Sequence, residues 1–472
     1  MVSLSCTLQS KRYVVLGLGR EERDDDDKDK DKKKKEKKGL GAKIGAVIAS
    51  KCHSAKKAET CTVLLPTGVL EDDLGGDLRD VSSSFYSSLY SDDRYRTGDK
   101  KKVMAEDLSS VNLILEGPQN DKEEDPMKKA IEDGKSLAAG VYLTRDIVNA
   151  PHNVLNSESL AETAQRIADE SKGGTVTCKI LNKEECEQRG MGAYLGVARG
   201  SETDPRFIHL TYTPPSDSDG DEEKKNMRVG VVGKGLLFDT GGYNIKTSSM
   251  ELMKFDCGGA AATLGAARAV SALQPAGVEI HFIVAACENM INDKAMVASD
   301  VLTASNGKTI EVINTDAEGR LTLADALVYA DEEVGCESIV ELSTLTGACM
   351  VSLGKSIAGV WTSSDELADE LRVASEETGE KVWRMPLEGE YNDQIKSKIA
   401  DMTNCGTAYG GAITAALFLE NFVSKKRRFA HVDIAGPVWS DKSGATGFGC
   451  KLVTEWVTSQ GATEADSKNR EE

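Results

Sequence analysis

The chain lacks several features that define common protein classes. Its 11 cysteines include no CxxC pair, and its five histidines form no HExxH pattern. The histidine pattern of the common zinc proteases is therefore excluded. An odd number of scattered cysteines in a long chain argues against a disulfide framework and favours a reducing compartment. No apolar run reaches the roughly 20 residues of a membrane-spanning helix, so no membrane partner is expected.

Aromatic residues are also scarce, at 5% of 472 residues, whereas there are 44 glycines. This composition is typical of an α/β protein with many tight strand-to-helix turns. The net charge of −19 lacks the basic excess that sequence-independent nucleic-acid binding requires, so a nucleic-acid partner is not expected. The first residues show neither a signal peptide nor a clear transit peptide, so we expect a cytoplasmic location, with a plastid as the alternative.

The length and the composition along the chain predict two domains. We place an N-terminal α/β domain at residues 1–125 and a catalytic domain at 126–472, with a bridging helix at 126–148. Residues 20–38 carry ten basic and nine acidic side chains, and we predict that this charged insertion is disordered. In the N-terminal domain, a helix is predicted at 39–58, with strands at 60–65 and 111–115.

The second part of the chain alternates between two kinds of apolar segment. β-Branched runs are predicted to be strands buried on both faces, and alanine-rich runs are predicted to be helices between them. This alternation predicts a three-layer α/β/α domain with a mixed, mostly parallel sheet. The predicted strands are 228–232, 278–286, 338–342 and 429–434, and the clearest helices are 259–272 and 321–331.

Three short segments between residues 233 and 323 carry charged side chains where an α/β sheet forms its sites. The first follows a strand, at the carboxyl end where ligands bind. The second opens an alanine-rich helix, and the third is a loop before another helix. These segments supply Lys234 and Asp239 from residues 233–242, Asp256 from 253–259, and Asp316 and Glu318 from 314–321.

Four carboxylates in one place repel each other unless cations neutralise them. Two divalent ions solve this problem, because bridging carboxylates hold such ions roughly 3.5–4 Å apart. Because the sequence has no histidine cluster, the predicted metal ligands are carboxylates together with a lysine amine. Taken singly, each segment has an ordinary structural interpretation: a Lys-Gly pair after a strand is usually a turn, and an aspartate before a helix is usually an N-cap.

Together the segments resemble the leucyl (cytosol) aminopeptidase family, most closely its plant-type members. Residues 314–321, Asn-Thr-Asp-Ala-Glu-Gly-Arg-Leu, match the family's signature octapeptide throughout, and a match of this length is highly specific. The similarity extends from about Val141 to about Val457. It includes further blocks at residues 145–151, 344–347, 383–386, 411–417 and 433–437.

The resemblance implies a two-metal aminopeptidase that releases N-terminal Leu or similar apolar residues from peptides, with Cys-Gly dipeptides as further substrates. It implies two Mn²⁺ or Zn²⁺ ions per subunit and a homo-hexamer. A water bridging the metals would attack the peptide bond. The implied metal ligands are Lys234 (as a neutral amine), Asp239, Asp256, Asp316 and Glu318.

The same resemblance assigns the other site residues. Lys246 would polarise the scissile carbonyl, and Arg320 would hold a bicarbonate that acts as general base. The implied substrate-binding residues are Met253, Asn314, Thr344, Leu345 and Gly347.

Two other hypotheses stay open at this stage. One is a non-catalytic hexamer with a chaperone-like or moonlighting role, which the sequence cannot test. The other is a two-metal phosphohydrolase, which four carboxylates would suit. Such enzymes usually add a phosphate-cradling loop or histidine ligands, and neither is seen in this sequence.

Overall fold

The computed structural model describes residues 7–8, 11–12, 39–55, 58–65, 74–101, 104–115, 124–215 and 226–461. The predicted disordered insertion at 20–38 lies outside these ranges. Within them, no helix combines the length and apolar character needed to cross a membrane.

The helices and strands of the described residues follow in chain order. The strands are β1 (Thr7–Leu8), β2 (Lys11–Arg12), β3 (Thr60–Leu65), β4 (Ser110–Leu115), β5 (Val176–Leu181), β6 (Arg206–Tyr212), β7 (Met227–Asp239), β8 (Val278–Asn289), β9 (Val301–Thr303), β10 (Thr309–Glu311), β11 (Ser338–Ser343), β12 (Ala358–Thr362), β13 (Val382–Arg384), β14 (Met402–Thr403), β15 (Arg428–Asp433), β16 (Trp439–Ser440) and β17 (Gly444–Ala445). The α-helices are α1 (Leu40–Ser54), α2 (Leu74–Ser88), α3 (Glu124–Asn149), α4 (Ser157–Asp169), α5 (Lys183–Gln188), α6 (Gly192–Ala198), α7 (Gly258–Leu273), α8 (Gly319–Val328), α9 (Gly347–Leu353), α10 (Asp365–Thr378), α11 (Gly411–Glu420) and α12 (Cys450–Ser459).

The N-terminal part packs two helices near a two-stranded parallel sheet. β3 pairs in parallel with β4, which confirms both predicted strands, and α1 confirms the predicted helix. α2 is not predictable from local sequence preference, because its serines and glycines have low helix propensity. Leu78, Val81 and Phe85 lie three and four residues apart on its buried face. Their burial against α1 stabilises a helix that local preference alone does not favour.

The predicted bridging helix is α3, which packs against both parts of the chain. Gly134 faces α2, since a Cβ there would lie 2.2 Å from Arg79 O, and Gly140 faces α7, since its Cβ would lie 2.4 Å from Gly265 O. Pro126 is tolerated in the first turn, where the backbone N–H groups have no helical partner. The division at residues 125/126 stays a prediction.

An eight-stranded sheet forms the centre of the larger part, in the order β13-β12-β15-β11-β7-β8-β6-β5. Four of its neighbouring pairs are parallel (β13–β12, β15–β11, β11–β7 and β7–β8), and three are antiparallel. The helices α4, α7, α10 and α12 bury one face, and α6, α8 and α11 bury the other. This arrangement confirms the predicted three-layer fold with a mixed, mostly parallel sheet.

β7 is longer than the sequence analysis predicted. The predicted strand ended at residue 232, and Lys234-Gly235 had an ordinary interpretation as a turn. That interpretation is wrong, because β7 continues to Asp239 and pairs with β8 as far as Asn289. Gly233 and Gly235 are needed for packing rather than for a turn. A Cβ on Gly233 would lie 2.6 Å from Gly259 O of α7, and a Cβ on Gly235 would lie 2.8 Å from Ala285 O of β8.

Two buried histidines lie next to each other on β6 and β8. His209 Nε2 is 2.9 Å from His281 Nδ1, and His209 Nδ1 is 3.0 Å from the Tyr329 hydroxyl. Burial, reinforced by the charge of His281, lowers the pKa of His209 to about 3. The folded protein therefore holds His209 neutral, whereas an unfolded histidine titrates near pH 6.5.

This difference predicts a pH-dependent stability. A folded pKa below the unfolded pKa gives stability that is present above about pH 6.5 and is lost as the pH falls toward 3, at about 1.4 kcal/mol per pH unit. His209→Gln removes this titration, so its unfolding midpoint should change less between pH 6.5 and 5 than that of the parent. His53→Gln, at an exposed site, is the control. An equal pH dependence in His209→Gln and the parent would contradict the assignment.

Candidate metal centre

The predicted metal ligands come together at the carboxyl end of β7. Asp239 ends this strand, Asp256 follows the 3-10 helix Met250–Phe255, and Glu318 immediately precedes α8. These three carboxylates are buried, and one oxygen of each lies within 4.8 Å of the others. Asp316, in the same loop as Glu318, lies at the more open side with 32% of its side chain exposed. Residues far apart in sequence therefore form one acidic cup, which we define as these four carboxylates.

Each of two lysines lies between two carboxylates of the cup. Lys234 Nζ is 2.9 Å from Asp256 Oδ2 and 3.0 Å from Glu318 Oε1. Lys246 Nζ is 2.8 Å from Asp239 Oδ2 and 2.6 Å from Asp316 Oδ1. Four ionised carboxylates and two ammonium groups leave two negative charges, so the lysines neutralise only half of the cup.

The protonation preferences in the cup follow from burial and charge. Burial alone would lower the pKa of Lys234, but the carboxylates of Asp256 and Glu318 outweigh burial and raise it. Burial also raises the pKa of Glu318, and the neighbouring charge of Asp239 raises it further. Divalent ions would reverse both effects, since they favour ionised carboxylates and a neutral lysine amine.

The donor atoms of the cup fit divalent metal ions. Glu318 Oε2 is buried and has no hydrogen-bond partner among the described residues. A buried carboxylate oxygen without a partner is costly, and a metal ion is one group that satisfies it. Carboxylate oxygens suit Mn²⁺, and Zn²⁺ also accepts them. The chemistry of these residues is therefore compatible with the predicted ions.

The structure also identifies a residue that the sequence analysis missed. Asn289, at the end of β8, donates from Nδ2 to Asp239 Oδ1 at 2.8 Å and to Thr315 O at 3.0 Å. The backbone N–H of Gly241 donates to the same Asp239 oxygen at 2.8 Å. These bonds fix one carboxylate oxygen and leave the other for the cup. A polar residue just beyond the apolar run at 278–286 was the signal that could have found it.

Two of the predicted substrate-binding residues contact the acidic residues of the cup. The Thr344 hydroxyl donates to Asp256 Oδ1 at 2.7 Å, and Asn314 Oδ1 accepts from the Asp316 backbone N–H at 2.9 Å. Both therefore orient a predicted ligand, and their contact with substrate stays a prediction.

The other three predicted substrate-binding residues surround the same region. Met253 lies half-buried in the 3-10 helix before Asp256, and Leu345 directly follows Thr344. Gly347 begins α9 and faces open space, since a Cβ there would have no atom within 4 Å. The structure leaves room for a ligand beside Gly347.

Arg320 lies in the first turn of α8, with only 6% of its surface exposed. Its Nε and Nη1 are buried and donate to no acceptor among the described residues. Burial lowers the pKa of this arginine, which is the expected effect on a cation removed from water. Two unused donors on a buried guanidinium favour an anionic ligand.

We predict that Asn289 supports metal binding through Asp239. Asn289→Ala removes a donor that orients the carboxylate, and losses of this kind typically cost about 10–100-fold in metal affinity. Calorimetric titration of the metal-free protein with Mn²⁺ measures this change. Asn392→Ala, at an exposed asparagine, should leave the affinity unchanged. Equal affinity in Asn289→Ala and the parent would show that Asp239 needs no such support.

Comparisons with known proteins agree with this geometry. Residues 142–454 match the family described as "Cytosol aminopeptidase family, catalytic domain". The chain is 45% identical over 454 residues to Leucine aminopeptidase 1 of Arabidopsis thaliana. This match covers 95% of this chain and 81% of the relative. It is 50% identical over 421 residues to Leucine aminopeptidase 2, chloroplastic, of Oryza sativa subsp. japonica. This match covers 88% of this chain and 67% of the relative. A solved structure of a tomato leucine aminopeptidase mutant matches with a TM-score of 0.79 at 43% identity, over 89% of this chain and 78% of that chain.

Proposed function

Since the chain belongs to the cytosol aminopeptidase family and is a metal-dependent exopeptidase, we propose that it releases N-terminal Leu or similar apolar residues from peptides. We propose Cys-Gly dipeptides as further substrates. The observation that carries the proposal is the acidic cup, in which three buried carboxylates converge within 4.8 Å. Two divalent ions, Mn²⁺ or Zn²⁺, would supply Lewis acidity there and make water nucleophilic near neutral pH.

We propose that the ligands divide between the two ions. Lys234 and Asp256 would hold one ion, and Asp316 would hold the other. Asp239 and Glu318 would be ligands for both ions. The structure supports this division, because Lys234 lies beside Asp256 and Glu318, whereas Lys246 lies beside Asp239 and Asp316.

Lys246 is the proposed donor to the scissile carbonyl. Its side chain is 17% exposed, in contrast to the 4% of Lys234, so it lies nearer to the opening of the cup. The Lys246 ammonium would be released from Asp239 and Asp316 if these carboxylates held metal ions. It would then be free to donate a hydrogen bond to the substrate oxygen and to stabilise the negative charge that develops there.

Arg320 is the proposed binding residue for a bicarbonate that acts as general base. The support is its pair of buried donors, Nε and Nη1, which have no partner among the described residues. A bicarbonate held there would accept the proton of the attacking water. The substrate itself would lie against Met253, Asn314, Thr344, Leu345 and Gly347.

The family match does not favour the phosphohydrolase hypothesis, and no contact in the described residues favours a non-catalytic role. We propose a cytoplasmic location, with a plastid as the alternative because the Oryza relative is named chloroplastic.

The proposed activity is tested with leucyl anilide in the presence of Mn²⁺ or Zn²⁺. We expect Glu318→Ala to lower kcat/KM by about 1,000-fold or more, because it removes a ligand proposed for both ions. The matched control is Glu162→Ala, at an exposed glutamate of α4, and it should keep the parent activity. A parent protein no more active than Glu318→Ala under either metal would contradict the proposal.

We propose that the protein assembles as a homo-hexamer. Light scattering on the metal-loaded protein should then give a mass near six times the 50.6 kDa of one chain. The mass of a single chain or of a dimer across the micromolar range would contradict this assembly.

A further inference from the structure

A cavity of about 610 Å³ lies apart from the metal centre, between α2 and α3 on one side and the start of α12 on the other. It shares no lining residue with the acidic cup. Its volume is in the range of roughly 300–1,000 Å³ that small-molecule sites occupy. We call it the α12 cavity, and the lining residues that matter here are Ser87, Tyr90, Arg145, Lys381, Phe448 and Lys451.

Three cations line this cavity, and none of them forms a direct ion pair with a carboxylate among the described residues. Arg145 is half-buried and donates only to backbone carbonyls, from Nε to Thr446 O at 2.9 Å and from Nη1 to Ser87 O at 2.6 Å. Lys451 Nζ donates to a backbone carbonyl at 3.1 Å. The Lys381 side chain is exposed, and its ammonium forms no hydrogen bond or ion pair with the described residues. In a chain with a net charge of −19, such a group of unpaired cations is unexpected.

Among the described residues, one carboxylate lines the cavity, and it accepts hydrogen bonds. Glu380 accepts the backbone N–H groups of Gly449 at 3.0 Å and Leu452 at 2.8 Å, where α12 begins. Its charge is stabilised by the nearby cations Lys451 and Arg145 as well as by these backbone groups at the helix N-terminus. Three cations and one carboxylate leave two positive charges at the cavity, and this excess can attract an external anion.

Hydroxyl groups complete the lining. The Ser87 hydroxyl oxygen is buried without a hydrogen-bond partner, and the hydroxyls of Ser84, Ser88, Ser356 and Ser443 form no hydrogen bond with the described residues. Phe448 is buried beside them and provides an apolar surface. A ligand that suits this lining has an anionic group with several acceptor oxygens and an organic body.

We propose that the α12 cavity binds a small phosphate monoester. The phosphate would lie against Arg145, Lys381 and Lys451, because a dianion with three terminal oxygens can accept from several cations and hydroxyls at once. The organic body would lie against Tyr90 and Phe448. The cavity is larger than inorganic phosphate requires, and this favours an ester over the free ion.

The test is calorimetric titration of the metal-loaded full chain with ribose 5-phosphate, with ribose as the neutral counterpart. We expect one site per chain for ribose 5-phosphate and no heat from ribose. Lys381→Glu reverses an exposed charge at the cavity and should weaken binding at least about tenfold. Lys183→Glu makes the same charge change at an exposed lysine of α5, so it should leave binding unchanged.

Three results would overturn the proposal. They are the absence of binding, equal binding by ribose, and unchanged binding in Lys381→Glu. Unchanged binding in Lys381→Glu is also expected if ribose 5-phosphate binds at the metal centre instead of the α12 cavity. In that case, excess leucine would displace the ribose 5-phosphate. Because the assay measures binding and not hydrolysis, its outcome is independent of the proposed peptidase activity.

Discussion

The repulsion among four carboxylates at one end of the sheet is the constraint on which the rest of the structure depends. Burying three of them is costly unless positive charge lies beside them, and the chain supplies two lysines for this purpose. Lys234 reaches the cup from within β7, which requires close packing around it. A Cβ on Gly319 would lie 2.2 Å from Lys234 Cε, so a larger residue at the start of α8 would displace the Lys234 side chain from its position in the cup. A central lysine and its neighbouring glycine thus depend on each other.

The same constraint shapes the elements around the cup. Gly259 lets α7 approach the sheet, since a Cβ there would lie 2.0 Å from Leu342 O and 2.7 Å from Lys234 N. This approach places Asp256, just before α7, beside the Lys234 side chain. Asn289 and Gly241 then hold Asp239 from the other side. Backbone packing and side-chain orientation therefore act together to keep like charges close.

Much of this arrangement could be predicted from the sequence, because hydrophobic periodicity and a specific octapeptide are local signals. The four strands and two helices predicted in the larger part are present, although β7 is longer than predicted, and the family match agrees with the resemblance carried by residues 314–321. The full length of β7 was missed because a lysine among apolar residues resembles a strand end. The role of Asn289 was missed because sequence spacing shows which residues share a segment but not which atoms pair across strands. The pairing of Lys246 with Asp239 and Asp316 is hidden from the sequence for the same reason.

The central claim is that the lysines neutralise only half of the cup and that two divalent ions bind among its carboxylates. Anomalous diffraction from crystals of the Mn²⁺-loaded protein tests it most directly. The account predicts two manganese peaks among Asp239, Asp256, Asp316 and Glu318, roughly 3.5–4 Å apart, with Lys246 separated from Asp239. No manganese in the cup, with both lysines still paired to its carboxylates, would contradict it.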